Sequence, residues 1–145
     1  MSSTVYKFIN PLIKKLLDSP IHPFLSGRII VIHFTGVKTG KKYSTPVSYY
    51  QENNTVYCFT NGVWWNNFKS GAEVEVKIKG VTRAGHAIAE TTNDANKTEI
   101  MKKYFSAIPS DAKYYGVRFN SNGEPNREDV VRATTAVVMI KITLK

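Results

Sequence analysis

The sequence TGVKTGKKYSTP, residues 35–46, joins two strand-like segments and decides how the chain around it folds. An apolar run at residues 29–34 precedes it, and a second strand-like run at residues 45–50 follows it. The stretch contains two glycines four residues apart, three lysines and no acid. Glycine lets the backbone approach a ligand closely, and lysine and hydroxyl side chains donate to anions. The pattern predicts two strands joined by a tight basic turn, which either binds an anion or is simply solvated.

Strand and helix signals recur along the rest of the chain. Short β-branched and aromatic runs predict strands at residues 28–34, 45–51, 55–60, 73–79, 81–89 and 136–144. Apolar spacing and capping residues predict helices at residues 5–17, about 95–107 and about 127–133. Short connections favour antiparallel pairing, and closing the sheet removes exposed edges. We expect one α+β domain, residues 1–145, with six or seven mostly antiparallel strands in a small barrel, an amino-terminal amphipathic helix and two further helices.

Composition narrows the class of protein. The chain has 145 residues, of which 42% are hydrophobic, so it is long enough to bury one substantial core. It has no signal-peptide pattern and no apolar run of the roughly 20 residues that a membrane span needs. Cys58 is the only cysteine, which excludes an intramolecular disulfide and favours a buried structural thiol. We expect a cytoplasmic protein.

The net charge of +9 is concentrated toward the amino terminus. Residues 1–50 contain seven lysines and arginines but one acid, Asp18. Such a field favours an anionic ligand, an anionic membrane surface or nucleic acid, or it serves solubility alone. The segment at residues 4–17 carries lysines beside its apolar stripe. It is therefore predicted either to cover the sheet or to contact a membrane.

A second group of chemically interesting residues follows the strand that ends at Thr60. The sequence NGVWWNNF, residues 61–68, contains both tryptophans of the chain beside amide side chains. Aromatic surfaces and amide groups suit a flat heteroaromatic ligand. Adjacent residues on a helix point about 100° apart. We therefore expect one tryptophan to lie in the core and the other to border a groove.

Motifs for metal binding and for nucleophilic catalysis are absent from the sequence. The three histidines are scattered, and none has a cysteine or an acid at ligand spacing. No Ser-His-Asp or Cys-His arrangement stands out, and the acids form no recognisable pair. If the protein is an enzyme, a bound cofactor is expected to supply the difficult chemistry. No metal ligand and no catalytic residue is assigned.

Several segments resemble, in order along the chain, the deazaflavin-dependent nitroreductase family. Residues 35–40 are similar to the family's Thr-Gly-Arg-Lys-Ser/Thr-Gly turn, and residues 45–47 to the Thr-Pro-Val/Leu that begins its next strand. Residues 64–68, WWNNF, resemble its Trp-Trp-Arg-Asn-Leu signature. The resemblance extends from about residue 8 to the carboxyl terminus. It implies the split β-barrel that the family shares with FMN-binding proteins.

The resemblance also implies a cofactor and a reaction. Members of the family bind the deazaflavin coenzyme F-420, while some relatives of the fold use FMN. Members of the family pass a hydride from the reduced cofactor to a quinone, a nitro compound or an enone. The implied contacts to the cofactor tail are Lys38, Thr39, Gly40 and Lys41, and those to its ring are Ser44, Thr45, Pro46, Val47, Asn61, Trp64, Trp65 and Asn67. Tyr114 and Tyr115 are implied to contact the substrate.

We therefore expect an oxidoreductase that binds F-420 or, alternatively, FMN. Val37 and Asn66 stand where the family has arginine, so Lys41 and Lys42 would have to compensate for two lost cationic contacts. The alternative is a protein that binds a flavin, a deazaflavin or another amphiphile without turnover. The expected partners are the cofactor and an electron acceptor. A homodimer and a peripheral membrane contact are further expectations, and nucleic acid is not expected.

Overall fold

Six strands form a closed barrel in the computed structural model, which describes residues 29–145. The strands are β1 (Ile29–Thr35), β2 (Lys42–Glu52), β3 (Thr55–Thr60), β4 (Ala72–Ile78), β5 (Val81–Glu90) and β6 (Val138–Leu144). Their order around the barrel is β1-β2-β3-β6-β5-β4, and β4 pairs with β1 to complete the circle. Every neighbouring pair is antiparallel. The predicted barrel is confirmed, and the predicted strands agree with the observed ones to within three residues at each end.

Four helical segments accompany the described strands. They are a 3-10 helix (Val63–Phe68), α1 (Ala95–Ala107), α2 (Pro109–Tyr114) and α3 (Arg127–Ala136). The side chain of Asp94 caps α1 by accepting from the Lys97 backbone N–H at 2.9 Å. The prediction gave α1 its observed bounds but treated residues 108–111 only as the end of that helix. Instead Pro109 begins α2, because proline at a first helical position loses no hydrogen bond.

The barrel interior is one of two hydrophobic cores in the described residues. Side chains alternate along the strands, so every second residue points inward. Trp64 and Phe68 of the 3-10 helix close the end of the barrel beside Phe34. Cys58 is completely buried in this core, and burial raises the pKa of its thiol. The interior residues are Ile30, Ile32, Phe34, Tyr49, Val56, Cys58, Trp64, Phe68, Val74, Val76, Ile78, Ala87, Ile140, Ile142 and Leu144.

The second core lies between the outer face of the barrel and the three α-helices. Outward-facing residues of β3 and β6, among them Phe59 and Met139, pack against buried residues of α1 such as Phe105. Val130 and Ala133 bring α3 onto the same surface. The helices therefore cover only one side of the barrel, and the position of α2 on that side places the tyrosines at its end beside β2 and β3.

The predicted amino-terminal helix at residues 5–17 lies outside the described residues, as does the membrane contact predicted for residues 4–17. From Ile29 onward, none of the helices is both long and apolar enough to cross a bilayer.

Candidate functional site

Strands β2 and β3 separate part-way along their length. β2 pairs with β1 from Lys42 to Ser48, but its pairing with β3 covers only Tyr49 to Glu52. After Thr60 the chain leaves β3 and enters the 3-10 helix at the barrel end. Within residues 29–145, no strand covers the second edge of β2 between Lys42 and Ser48. We call this gap, bordered by residues 42–48 of β2 and by Thr60 and Asn61, the fork.

Two local features explain why the strands separate here. Pro46 has no backbone N–H, and proline within a sheet is confined to places where one strand edge is not paired. In β2 it pairs with Val31 of β1 on one side. At the end of β3, the Gly62 N–H donates to Thr60 Oγ1 at 2.9 Å and turns the chain out of the strand. The sequence thus favours an open edge at this level of the barrel.

A cavity of about 320 Å³ lies where the fork closes. Its base is formed by Ser48 and Phe59, which stand opposite each other next to the paired residues Tyr49 and Cys58. Residues of α1 and α2, and the residue that follows α2, form the rest of the cavity wall. The lining residues are Ser48, Phe59, Tyr104, Asp111, Tyr114 and Tyr115.

The two tyrosines implied as substrate contacts both line this cavity. The rings of Tyr114 and Tyr115 are 5.6 Å apart and nearly perpendicular. Tyr115 is anchored against Phe105, with ring centroids 5.4 Å apart, whereas Tyr114 is 87% exposed. The Tyr115 ring therefore forms a packed wall of the cavity, and the Tyr114 ring lies at its solvent-exposed edge.

The electrostatics of the cavity favour neutral phenols. The Tyr104 hydroxyl donates to Asp111 Oδ2. Burial, reinforced by this carboxylate, raises the pKa of Tyr104 well above its usual value. Burial, with the charge of Asp111 as the second cause, raises the pKa of Tyr115 to about 12. Both phenols are protonated at neutral pH. The Tyr104 hydroxyl is engaged with the Asp111 carboxylate, so Tyr115 is the buried phenol whose hydroxyl can donate to a ligand.

The basic turn, residues 36–41, lies at the opposite end of the fork. Four of its six backbone N–H groups are already used within the protein: those of Gly36 and Gly40 in turn bonds, that of Val37 with Asn67 and that of Lys41 with Thr39 Oγ1. Gly40 has φ +69°, which only glycine adopts easily. Backbone donors therefore contribute less to anion binding here than the sequence indicated.

Side chains supply the remaining capacity to bind an anion. Lys38, Lys41 and Lys42 are exposed, and the chain has no acid from residue 29 to residue 51. Thr39 Oγ1 bonds the Tyr43 hydroxyl at 2.8 Å, so the threonine acts mainly inside the turn. Exposed ammonium groups on long side chains suit a flexible anionic tail better than a rigid one.

Asn67 attaches the basic turn to the 3-10 helix. Its Oδ1 accepts from the Val37 N–H at 3.0 Å, and its Nδ2 donates to the Trp64 carbonyl at 2.9 Å. Both functional groups of the amide are thus engaged with the protein. The sequence assigned Asn67 to the ring of a ligand, and the structure shows it holding the turn in place.

The residues of β2 implied as ring contacts divide between its two faces. Ser44 and Pro46 lie on the outer face, where Ser44 Oγ bonds His33 Nδ1 at 2.6 Å. Thr45 is 4% exposed, and Val47 packs against the barrel interior. A ligand on the outside of the barrel would contact the side chains of Ser44 and Pro46 but only the backbone of Thr45 and Val47.

The two tryptophans also have different environments. Trp64 is 5% exposed and stacks on Phe34, with ring centroids 6.1 Å apart, so it is the one that lies in the core. Trp65 is half-buried, and Lys69 Nζ lies 5.5 Å from the centre of its ring. Asn61, at the end of β3, is exposed on the border of the fork. Trp65 and Asn61 therefore have surface to offer a ligand, whereas Trp64 has little.

A larger groove of about 610 Å³ lies on the other side of β2, over β1, β4 and β5. It contains Ser44 and Lys42, but Glu73 and Glu75 line it as well. Two carboxylates oppose the binding of an anionic tail. The fork, whose basic end has no carboxylate in its own sequence, is the better candidate for such a ligand.

Sequence reasoning missed four residues of the cavity: Ser48, Phe59, Tyr104 and Asp111. Ser48 follows Ser44 and Pro46 in the same two-residue register, and this spacing was a usable signal. Tyr104 and Asp111 come from helices, and nothing local in the sequence places either of them beside β2. Their contribution depends on how the second core packs.

The fork has dimensions that suit an elongated ligand. Ser48 at the cavity lies six positions after Lys42 at the basic turn, which corresponds to about 20 Å of extended strand. One end offers an aromatic cavity with neutral donors, and the other offers ammonium groups. A flat molecule would match the first end, and the anionic tail of a ligand that lies along the fork would match the second.

A protein-family model described as F420H(2)-dependent quinone reductase matches residues 18–119, which is more than half of the chain. The chain belongs to this family. It is accordingly a reductase that depends on the deazaflavin F-420. No curated protein matches the sequence.

Comparison with solved structures supports the same fold. An F420-H2 dependent reductase (FDR-A) is 17% identical, with a TM-score of 0.54 over 79% of this chain and 93% of that one. A domain-swapped dimer is also 17% identical, with a TM-score of 0.53 over 79% of each chain. The Agrobacterium tumefaciens protein Atu2129, of unknown function, is 14% identical, with a TM-score of 0.53 over 90% of this chain and 58% of that one. At these identities, the likeness concerns the fold.

Proposed function

We propose that this reductase transfers a hydride from reduced F-420 to a quinone, a nitro compound or an enone that binds in the cavity of the fork. The observation that carries the proposal is the position of that cavity. It lies at one end of a strand edge that no strand within residues 29–145 covers, and the other end of this edge is the basic turn. Recognition of the acceptor and recognition of the cofactor tail are thereby separated by about 20 Å of strand, and the cofactor ring would lie between them.

The residues along the fork fit F-420 by their chemistry. Lys38 and Lys41 would hold the phosphate and the polyglutamate tail, because both are exposed and no acid lies between them. Ser44, Pro46 and Asn61 would border the ring, since they present side chains outside the barrel or at the end of β3. When bound, F-420 supplies the hydride. FMN has a single phosphate and a shorter tail, so it would use less of the basic end.

The cavity residues prepare the acceptor for reduction. Quinones, nitro compounds and enones all carry oxygen atoms that gain negative charge as they are reduced. Tyr115 is protonated and anchored against Phe105, so its hydroxyl can donate to such an oxygen. Tyr104 is held by Asp111, which fixes the wall beside Ser48. Tyr114 is the accessible rim, and its ring can cover a flat acceptor.

The proposal is tested by following oxidation of reduced F-420 with one acceptor of each class. Ser48→Leu places extra volume in the cavity, so we expect it to lower kcat/KM for the acceptor by about tenfold or more, while the Kd for F-420 stays within about twofold. Ser106→Leu is the matched control, because Ser106 is exposed on α1 and does not line the cavity.

Two outcomes would contradict the proposal. Binding of F-420 without oxidation by any acceptor would indicate a binding protein without turnover. Equal kinetics for Ser48→Leu and Ser106→Leu would remove the acceptor from the cavity.

A homodimer also remains a prediction. It is supported by the domain-swapped dimer among the solved structures of the same fold. Light scattering on the purified chain measures the mass directly, and a mass of one chain across the concentration range would contradict a dimer.

A further inference from the structure

The cavity of the fork contains a carboxylate that no cation within residues 29–145 neutralises. Asp111 lines the cavity and is half-buried. Its Oδ2 accepts from the Tyr104 hydroxyl, and in the described part of the chain its carboxylate forms no ion pair. A neutral phenol donates a hydrogen bond but brings no positive charge. The cavity therefore has a negative charge of its own.

Basic residues near Asp111, in the chain or on the neighbouring helices, do not offset this charge. Lys113 is exposed two residues later on α2, and residues two positions apart on a helix do not face each other. Lys102, Lys103 and Arg132 each form an ion pair with another acid. The lysines of the basic turn lie about 20 Å of strand away, which exceeds the Debye length of about 8 Å at physiological ionic strength.

Four aromatic rings line the same cavity as the carboxylate. Phe59 and Tyr104 form one pair, with ring centroids 5.1 Å apart. Tyr114 and Tyr115 form the other, with centroids 5.6 Å apart and planes nearly perpendicular. The face of an aromatic ring attracts a cation within about 6 Å of its centre, and groups of such rings recognise quaternary ammonium ligands. Aromatic rings beside a carboxylate are suited to an organic cation.

The proposed reaction gives a second reason to expect a positive charge on the molecule that binds here. Reduction of a quinone by one hydride leaves a hydroquinone anion, which then takes a proton from solvent to become the hydroquinone. The Asp111 carboxylate opposes the growth of negative charge beside it. A positive group on the acceptor would offset both the carboxylate and the charge that develops on the reduced oxygen.

We propose that the cavity is a site for an organic cation, so that the preferred acceptor carries a positive group, such as a quaternary ammonium, beside its reducible ring. The proposal rests on the proposed function where it takes this cavity to be the acceptor site. Asp111 supplies the charge, and the four rings supply the surface. Opposite charges at the two ends of the fork also direct the anionic tail of the cofactor to the basic turn and away from the cavity.

The test compares three 1,4-naphthoquinones whose propyl side chain ends in a trimethylammonium, a hydroxyl or a carboxylate group. The methylene groups of the chain insulate the ring, so the acceptors have matched reduction potentials and differ in charge. With reduced F-420 as the donor, we expect kcat/KM to be higher by about tenfold or more for the ammonium compound than for the carboxylate compound, with the hydroxyl compound between them.

Variants assign this preference to the charge of Asp111. Asp111→Asn keeps an oxygen for the Tyr104 hydroxyl but removes the charge, so the ratio of ammonium to carboxylate compound should fall to about twofold or less. Asp111→Glu retains the charge and should retain the preference for the cation. Glu99→Gln is the matched control, because it removes one negative charge from an exposed position of α1 outside the cavity. Circular dichroism and urea midpoints show whether each variant is folded, and the order of the three acceptors in the parent tests the proposal without any variant.

Binding of benzyltrimethylammonium separates this proposal from the proposed function, because this ion has no group that a hydride reduces. Saturation-transfer NMR of its methyl signal compares the parent with Asp111→Asn, and we expect the parent to bind it more tightly. If no naphthoquinone is reduced but this difference is found, the proposed function is wrong and the cation site stands.

Four results would overturn the proposal. The parent could reduce the carboxylate compound at least as well as the ammonium compound. Asp111→Asn could keep the ratio of the parent, or Glu99→Gln could lower that ratio as much as Asp111→Asn does. Finally, benzyltrimethylammonium could bind equally to the parent and to Asp111→Asn, which would show that the carboxylate serves only to hold Tyr104.

Discussion

The two ends of the fork are built in different ways. At the cavity end, Tyr104 is 2% exposed, and Tyr115 packs against Phe105 in the second core. At the other end, the basic turn is solvent-exposed and is attached to the 3-10 helix through Asn67. A rigid wall recognises a flat molecule by shape, and mobile ammonium groups recognise a charged chain without fixing its conformation. The difference indicates that selectivity for the acceptor and affinity for the cofactor tail are separable properties of this protein.

The largest expected difference between the two ends concerns stability. Tyr104→Ala removes a ring from the second core and leaves a cavity there, so we expect the free energy of unfolding to fall by about 3–5 kcal/mol. Lys38→Ala, on the exposed turn, should change it by less than about 0.5 kcal/mol. Urea denaturation of both variants measures the contrast. Similar losses would mean that the two ends are equally part of the core.

Acid should weaken the attachment of α3 to the loop that follows α2. Asp129 of α3 accepts from the backbone N–H and the side chain of Arg118, in the loop that follows Tyr115. These bonds, together with the charges of Arg118 and Arg132, hold the pKa of Asp129 well below its usual value. A carboxyl group whose pKa is lowered on folding stabilises the protein above its unfolded pKa of about 3.9, and this contribution is lost as the pH falls further.

Asp129→Asn is therefore expected to destabilise the protein near neutral pH, by less than Tyr104→Ala does. The difference from the parent should shrink as the pH falls below about 4. The check is a series of urea midpoints from pH 7 to pH 2. A difference that stays constant with pH would show that Asp129 acts by packing and not by its charge.

A smaller effect is expected where the turn meets the 3-10 helix. Asn67→Ala removes the acceptor of the Val37 N–H, and one such hydrogen bond contributes about 1 kcal/mol. We expect a stability loss of this size and a several-fold weaker affinity for intact F-420, because the lysines lose their fixed position. Asn66→Ala is a suitable control, since Asn66 Nδ2 bonds only within the helix, to the Val63 carbonyl. If the two variants bound intact F-420 with equal affinity, the position of the turn would not matter for cofactor binding.

The barrel and the basic end of the fork could be predicted from the sequence, because their signals are local. The alternation in β4, the turn with Lys79 at φ 50° and Gly80 at φ 81°, and the cap at Asp94 depend on neighbouring residues. The glycines and lysines of the basic turn are adjacent in the chain and remain together in the fold.

At the cavity end, the resemblance predicted Tyr114 and Tyr115, but the other four residues were missed because they meet through long-range packing. Ser48 and Asp111 are more than 60 positions apart in the chain, and no periodicity relates them. Asn67 carries a different lesson. Its residue type indicated a ligand contact, but the fold shows that its side-chain oxygen accepts a hydrogen bond from the Val37 N–H.

The account rests on the claim that the cofactor tail binds at the basic turn and the ring binds farther along the fork, toward the cavity. Calorimetric titration with intact F-420 and with its chromophore lacking the phosphate and glutamate tail tests this claim most directly. In Lys38→Ala with Lys41→Ala, we expect the affinity for intact F-420 to fall by about 10- to 100-fold, or about 1.4–2.8 kcal/mol, and that for the chromophore to stay within about twofold. Lys77→Ala with Lys141→Ala removes the same charge from other strands and should affect neither ligand. Equal losses for both ligands in the turn variant, or no loss for intact F-420, would contradict the claim.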